Sequence, residues 1–131
     1  MPMTYKGAQL EEDVCTAVFI GEFELGVAQS QFIELLDDAI SMGAIKVLID
    51  GRRVTGNPTD FERFLYGSFV ASATLDVLLR HNMRLRFAYV IHEPLRDPKR
   101  LGETVAVNGG MDVKTFEDKN EAVEWLNDHQ G

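Results

Sequence analysis

The sequence predicts an α/β domain: a mostly parallel mixed sheet of about five strands covered by about four helices, in the order ββαβαβαβα. Three observations carry this. Short runs rich in β-branched and aromatic residues alternate with longer stretches whose apolar residues recur at helical spacing. Capping residues stand where several of those stretches begin, and glycines or prolines mark their ends. The chain's 131 residues, 45% apolar and 26% charged, suit one globular domain over residues 1–131, with no linker, repeat or low-complexity segment.

Tyr5–Leu10 and Val14–Phe23 read as strands joined by the polar turn Glu11-Glu12-Asp13, an antiparallel hairpin. Val14–Ile20 is apolar at alternate and intervening positions alike, the pattern of a strand covered on both faces. A helix follows over Ala28–Met42, with Phe32, Leu35, Leu36, Ala39 and Ile40 on one stripe and Gly43 as its C-terminal cap. Ile45–Asp50 is a short buried strand, ending in a turn-rich loop through Pro58.

Thr59-Asp60-Phe61-Glu62 is a capping box, and its helix runs to about His81. Residues 64–75 of this helix carry no charge. A surface helix shows a wider polar stripe than Ser68, Ser72 and Thr74 supply. Leu85–Ile91 is the next strand. Asp97-Pro98 reads as the cap and first residue of a third helix ending near Asn108, before Gly109-Gly110. Val113–Phe116 is the last strand, and Asp118–Glu121 is a second capping box opening the final helix. Ala122, Trp125 and Leu126 form that helix's inner stripe. Strand–helix–strand units imply right-handed crossovers and parallel pairing. Met1–Lys6 and the last few residues are expected to be the loosest parts of the chain.

Composition narrows function. Thirteen basic against 21 acidic residues give a net charge of −8, which repels phosphate backbones and argues against nucleic-acid binding. It disfavours anionic membrane surfaces for the same reason. No apolar run is long enough to span a bilayer, and Met1-Pro2-Met3-Thr4 opens no signal pattern. The single cysteine, Cys15, excludes an internal disulfide and a cysteine metal cluster, so a reducing cytoplasm is the expected setting. Cys15 itself reads as inert core. His81 and His129 have no partners at metal-ligand spacing, so no metal or other cofactor is predicted.

Several segments together resemble the STAS-like domains, the family typified by the sporulation anti-anti-sigma factor. They are Gly21-Glu22-Phe23, Lys46–Asp50, Arg100–Asn108, and Phe116-Glu117-Asp118 with Glu121-Ala122 and Trp125-Leu126. The third-helix segment is similar to that of a bacterial subgroup related in fold to the CRAL-TRIO lipid-binding domains. The resemblance implies a single STAS-like domain acting as a non-enzymatic binding or regulatory module for a protein partner or small ligand. Its alternative implication is a domain that binds a lipid or apolar metabolite. One segment departs from the family. Where anti-anti-sigma factors carry an Asp-Ser pair before a helix, this chain has Val54-Thr55-Gly56-Asn57-Pro58-Thr59. Thr55 and Thr59 are the hydroxyls there, and a kinase-switched role is not implied.

Two candidate sites follow. Open parallel sheets bind ligands beyond the carboxyl ends of their strands. That points to Asp50, Arg52, Arg53, Thr55 and Thr59, with His92 at the end of another strand. The arginines and the helix start near Thr59 would suit an anionic group, whereas Pro58 and Asp60 weaken that helix start as an anion site. The structural alternative has Asp50 pairing with Arg52 in its own turn and Thr59 serving only as a cap. His92-Glu93 could exchange a proton, but no nucleophile accompanies it, and a solvated loop is the plainer reading. The second candidate is the charge-poor helix: Phe64, Gly67, Ser68, Ala71, Ser72 and Leu75 could be core, a homodimer face or the wall of an apolar pocket, and a homodimer through this helix is the expected assembly. Arg84, Arg86, Arg96, Lys99 and Arg100 make a local basic density that reads as solvated edge charge, and Trp125 reads as core packing.

Overall fold

A computed structural model describes residues 1–128 and shows the predicted order of elements. They are β1 (Thr4–Glu11), β2 (Val14–Glu22), α1 (Leu25–Met42), β3 (Lys46–Thr55), α2 (Asp60–His81), β4 (Arg86–Val90), α3 (Leu101–Asn108), β5 (Asp112–Phe116) and α4 (Lys119–Leu126). The sheet order is β1-β2-β3-β4-β5, with β1 antiparallel to β2 and every other pairing parallel.

This order decides where the helices go. Each parallel strand is laid one step further in the same direction, so right-handed crossovers put α1, α2 and α3 on one face. Side chains alternate accordingly. Phe87 and Tyr89 of β4 enter the cluster with Phe32, Leu35 and Val70, whereas Ala88 and Val90 pack with Ala122 and Leu126 of α4 on the other face. The central strands are therefore buried on both sides, as the unbroken apolar run in β2 predicts.

Three boundaries differ from the sequence reading by more than one residue, and the N-terminus is firmer than expected. Helix α1 begins three residues early because Glu24, an uncommon cap, accepts hydrogen bonds from the Gly26 and Val27 N–H groups at 3.3 and 2.8 Å. Strand β3 continues past Asp50 to Thr55, since Arg53, Val54 and Thr55 pair with Ile20, Gly21 and Glu22 across an irregularity in register. Partner pairing overrides the local turn signal of Gly51. Asp97 holds a turn rather than a helix, accepting from the Lys99 and Leu101 N–H groups, and α3 starts only after Arg100 at φ 55°. The N-terminus is tied down: Thr4 already lies in β1, and the Glu22 N–H donates to the Met1 carbonyl at 2.9 Å.

Other local readings hold. The Thr59–Glu62 capping box is made in both directions. Gly43 closes α1 at φ 67°. The second capping box is made only in part: Asp118 caps α4 by accepting from the Asn120 N–H, without a return bond from Glu121. Cys15 is fully buried, and burial, with Asp38 nearby, pushes its thiol up to about 11. Trp125 packs on Phe116 but is also covered by the Arg86 guanidinium, 3.6 Å from the ring centre. The basic density differs from the solvated edge charge expected: Arg86 and Arg96 are largely shielded, Arg86 pairing with Asp112 and Arg96 with Thr115 and Glu117.

Candidate functional site

Helices α2 and α3 lie in backbone contact. A Cβ built on Gly67 would stand 2.5 Å from the Gly102 carbonyl oxygen, so only glycine permits this approach. Below the contact, small side chains fail to fill the space above the sheet. Ala28, Gly51, Gly67, Gly102 and Ala106 line a cavity of about 140 Å³, whose larger walls are Phe19, Phe23, Phe32, Ile49 and Tyr89. It opens near the carboxyl ends of β3, β4 and β5, the customary ligand position in an open parallel sheet.

Polar groups are few and placed at the edge. The Tyr66 and Tyr89 hydroxyls are 2.9 Å apart on the wall. Burial pushes Tyr66 up to about 12, against an opposing hydrogen bond from Tyr89. Burial, followed by the Tyr66 charge and hydrogen bond, pushes Tyr89 well above the usual tyrosine value. Both rings are therefore neutral donors and acceptors near neutral pH. Glu103 accepts from the Thr115 N–H at 2.9 Å and from its hydroxyl at 2.5 Å, joining α3 to β5.

Arginines rim the opening. Arg63 donates to the carbonyls of Pro58, Leu95 and Pro94 at 3.1, 2.8 and 2.9 Å and to Asn57 Oδ1 at 3.2 Å. It thereby ties the loop before α2 to the segment before α3. Arg100 also lines the cavity, and its guanidinium makes no hydrogen bond or ion pair among the described residues. Asp97 sits beside these groups. Burial raises its carboxyl, but the Leu101 and Lys99 N–H groups and the nearby cations outweigh this and hold it below the usual carboxylate range.

The residues predicted at the strand ends are placed elsewhere. Asp50 is buried and accepts three hydrogen bonds from Arg52, from the backbone N–H at 3.2 Å and the guanidinium at 2.9 and 2.7 Å. Burial raises the Asp50 carboxyl, but the hydrogen bonds and charge of Arg52 prevail and its pKa is lowered. Lys119 and Asp118 act on this pair, and strand alternation puts Asp50 on the α4 side, away from the cavity. Arg53 and Thr55 are exposed. Thr59 Oγ1 is engaged as the α2 cap. His92 Nδ1 lies 3.6 Å from Glu117 rather than pairing with Glu93. None of these six lines the cavity.

The α2 set divides between surfaces. Gly67 and Ala71 are buried, with Gly67 on Gly102 and Ala71 against Gly109, and Gly67 also lines the cavity. Phe64, Ser68, Ser72 and Leu75 face solvent. Core, pocket wall and outward face are thus three sides of one helix. Sequence reasoning does not single out the tyrosine pair or the rim arginines as ligand-facing. The signal available is Gly67 and Gly102, whose spacing to one another only the fold reveals. Among the described residues no three His, Cys, Asp or Glu side chains are grouped to hold a metal ion; His129 lies outside them. No helix of the described chain is long and apolar enough to cross a membrane.

The fold is STAS-like: a five-stranded, mostly parallel sheet with three crossover helices on one face and one on the other. The structure is similar to the crystal structure of an anti-sigma factor antagonist from Mycobacterium paratuberculosis, with a TM-score of 0.62 over 97% of this chain and 96% of that one, at 13% identity. No protein-family model matches the sequence, and a search of curated proteins finds no match.

Proposed function

We propose that this chain is a non-enzymatic binding module of the STAS-like kind that takes a small, largely apolar ligand into the cavity between the sheet and α2–α3. The observation that carries this is an apolar, ligand-sized cavity at whose opening the Arg100 guanidinium has no partner among the described residues. Its size restricts the ligand. A dry cavity of about 150 Å³ holds one benzene ring, so about 140 Å³ admits a ring or short branched chain, not a whole acyl chain. Arg100 would favour a carboxylate or other anionic end at the rim. The lipid-binding alternative is thereby narrowed to the end of a tail.

The test is calorimetry and thermal unfolding with two probe series, aromatic and branched-chain carboxylates against straight-chain fatty acids of rising length. Ring-sized carboxylates are expected to bind best, and saturation at about 100 times the dissociation constant should stabilise the fold by about 2.7 kcal/mol. Ala106→Leu, which fills the cavity from α3, should abolish binding while the protein stays folded. No binding by either series, or binding unchanged in Ala106→Leu, would discard this reading.

A second reading is supported by the fold likeness and by the exposed apolar side chains of α2: a regulatory module that docks a protein partner. Changing Leu79, 76% exposed on that helix, to Glu should abolish capture of such a partner in a pull-down if α2 is the docking face, and unchanged capture would discard this reading.

A further inference from the structure

The outward face of α2 carries an apolar stripe that nothing among the described residues covers. Phe61, Phe64, Leu75 and Leu79 are 70%, 43%, 49% and 76% exposed, with Ser68 and Ser72 between them. Helix α2 is the middle one of the three-helix layer, touching α1 on one flank and α3 on the other. Its stripe therefore crowns the domain instead of lying in a crevice.

The stripe is symmetric about the level of Val70. Phe61 and Leu79 lie nine residues to either side, half-buried Leu65 and exposed Leu75 five, and Ser68 and Ser72 two, while at the margin Phe64 mirrors onto Asp76. Phe61 and Leu79 are eighteen residues apart, which is five whole turns at about 3.6 residues per turn, so they share one line along the helix. The same spacing puts Glu62 and Arg80 on a common flank. The first turn is acidic, Asp60 and Glu62, and the last is basic, Arg80 and His81, with Arg80 also pairing with Asp76 one turn back at 2.9 Å.

From this we infer that α2 pairs with α2 of a second copy, antiparallel, about a two-fold axis at the level of Val70. Phe61 of each copy then covers Leu79 of the other, the serines meet at the centre and allow close approach, and Glu62 stands beside Arg80 across the rim. A two-fold interface must be complementary to itself, and the central line of this stripe is, with Phe64 left to pack on Asp76 at its margin. A parallel pair would set the acidic turns together, which is repulsive. The net charge of −8 favours a basic partner in general, but an unrelated partner would not call for opposite charges at the two ends of one stripe. The pairing is independent of the cavity, so failure of either idea leaves the other standing.

Sedimentation equilibrium on the full chain tests it. Wild type should be a dimer. Leu79→Glu and Phe61→Lys change exposed residues, so each monomer should keep its native circular dichroism. Each change acts twice in a two-fold dimer, so the dissociation constant should rise by about 100-fold or more. Mixing the two variants should restore the dimer, because the introduced lysine of one copy then meets the introduced glutamate of the other while the second contact stays wild type. A wild-type monomer at millimolar concentration, a dimer indifferent to Leu79→Glu, or a mixture that stays monomeric would each overturn the proposal.

Discussion

Gly67 of α2 and Gly102 of α3 place two helix backbones so close that a Cβ at residue 67 would overlap the Gly102 carbonyl. Alanine is ordinarily the better helix former by about 1 kcal/mol. Here the overlap is with backbone, which cannot rotate away. Gly67→Ala is expected to destabilise the fold by about 2 kcal/mol, read by urea unfolding. An unchanged or raised midpoint would show that the helices part without cost. Ala71→Arg, on the same buried side, should unfold the protein rather than merely change its association state, checked by circular dichroism together with sizing.

The Asp50–Arg52 pair makes stability depend on pH. The folded carboxyl is held below its unfolded value of about 3.9. A lowered pKa contributes stability that is complete above the unfolded value and disappears as pH falls through the folded one. Arg52 is partly in solvent, which screens the pair, so Asp50→Asn should cost about 1 kcal/mol at neutral pH. The difference between wild type and variant should shrink to nothing in strong acid. Denaturant titrations across that range give the answer, and a constant difference would refute the linkage.

Tyr66 and Tyr89 are coupled partners in an apolar wall. Removing one hydroxyl leaves the other buried alone, so Tyr66→Phe or Tyr89→Phe should each lose about 1–2 kcal/mol. The double variant should be close to one single, because nothing is then left unpaired. Additive losses in the thermal or urea cycle would mean that each hydroxyl has another partner.

Cys15 offers a probe of opening. Its thiol is buried and its pKa raised to about 11, so the reactive thiolate is scarce and inaccessible in the folded state. Labelling by a disulfide reagent at neutral pH should follow the unfolding equilibrium and accelerate with denaturant. Prompt labelling of native protein would show that β2 opens locally.

The architecture is legible from periodicity because both helical spacing and doubly apolar strands are enforced by burial. Phe32, Leu35, Leu36 and Ala39 mark α1 in the sequence, and they are core. What local pattern misses depends on distant partners. Gly51 and the residues after it look like a turn until β2 is laid beside them. Asp97-Pro98 looks like a helix start until Arg100 adopts a left-handed backbone. The Asp50–Arg52 pairing is one of two readings open from sequence, and its geometry favours the structural one. The cavity is less visible still. It arises from what small residues on four elements leave unfilled, and no single segment of sequence records a shared void.

The succession β1-β2-β3-β4-β5 has a consequence for how the molecule is made. Every strand pairs with the one synthesised just before it, so no gap has to be held open for a strand that arrives last. Each closure spans one hairpin or one crossover, and loop-closure entropy stays small at every step. As the chain leaves the ribosome, each new strand meets an edge already formed and becomes the next edge itself, a progressive assembly that leaves little unpaired strand waiting to aggregate.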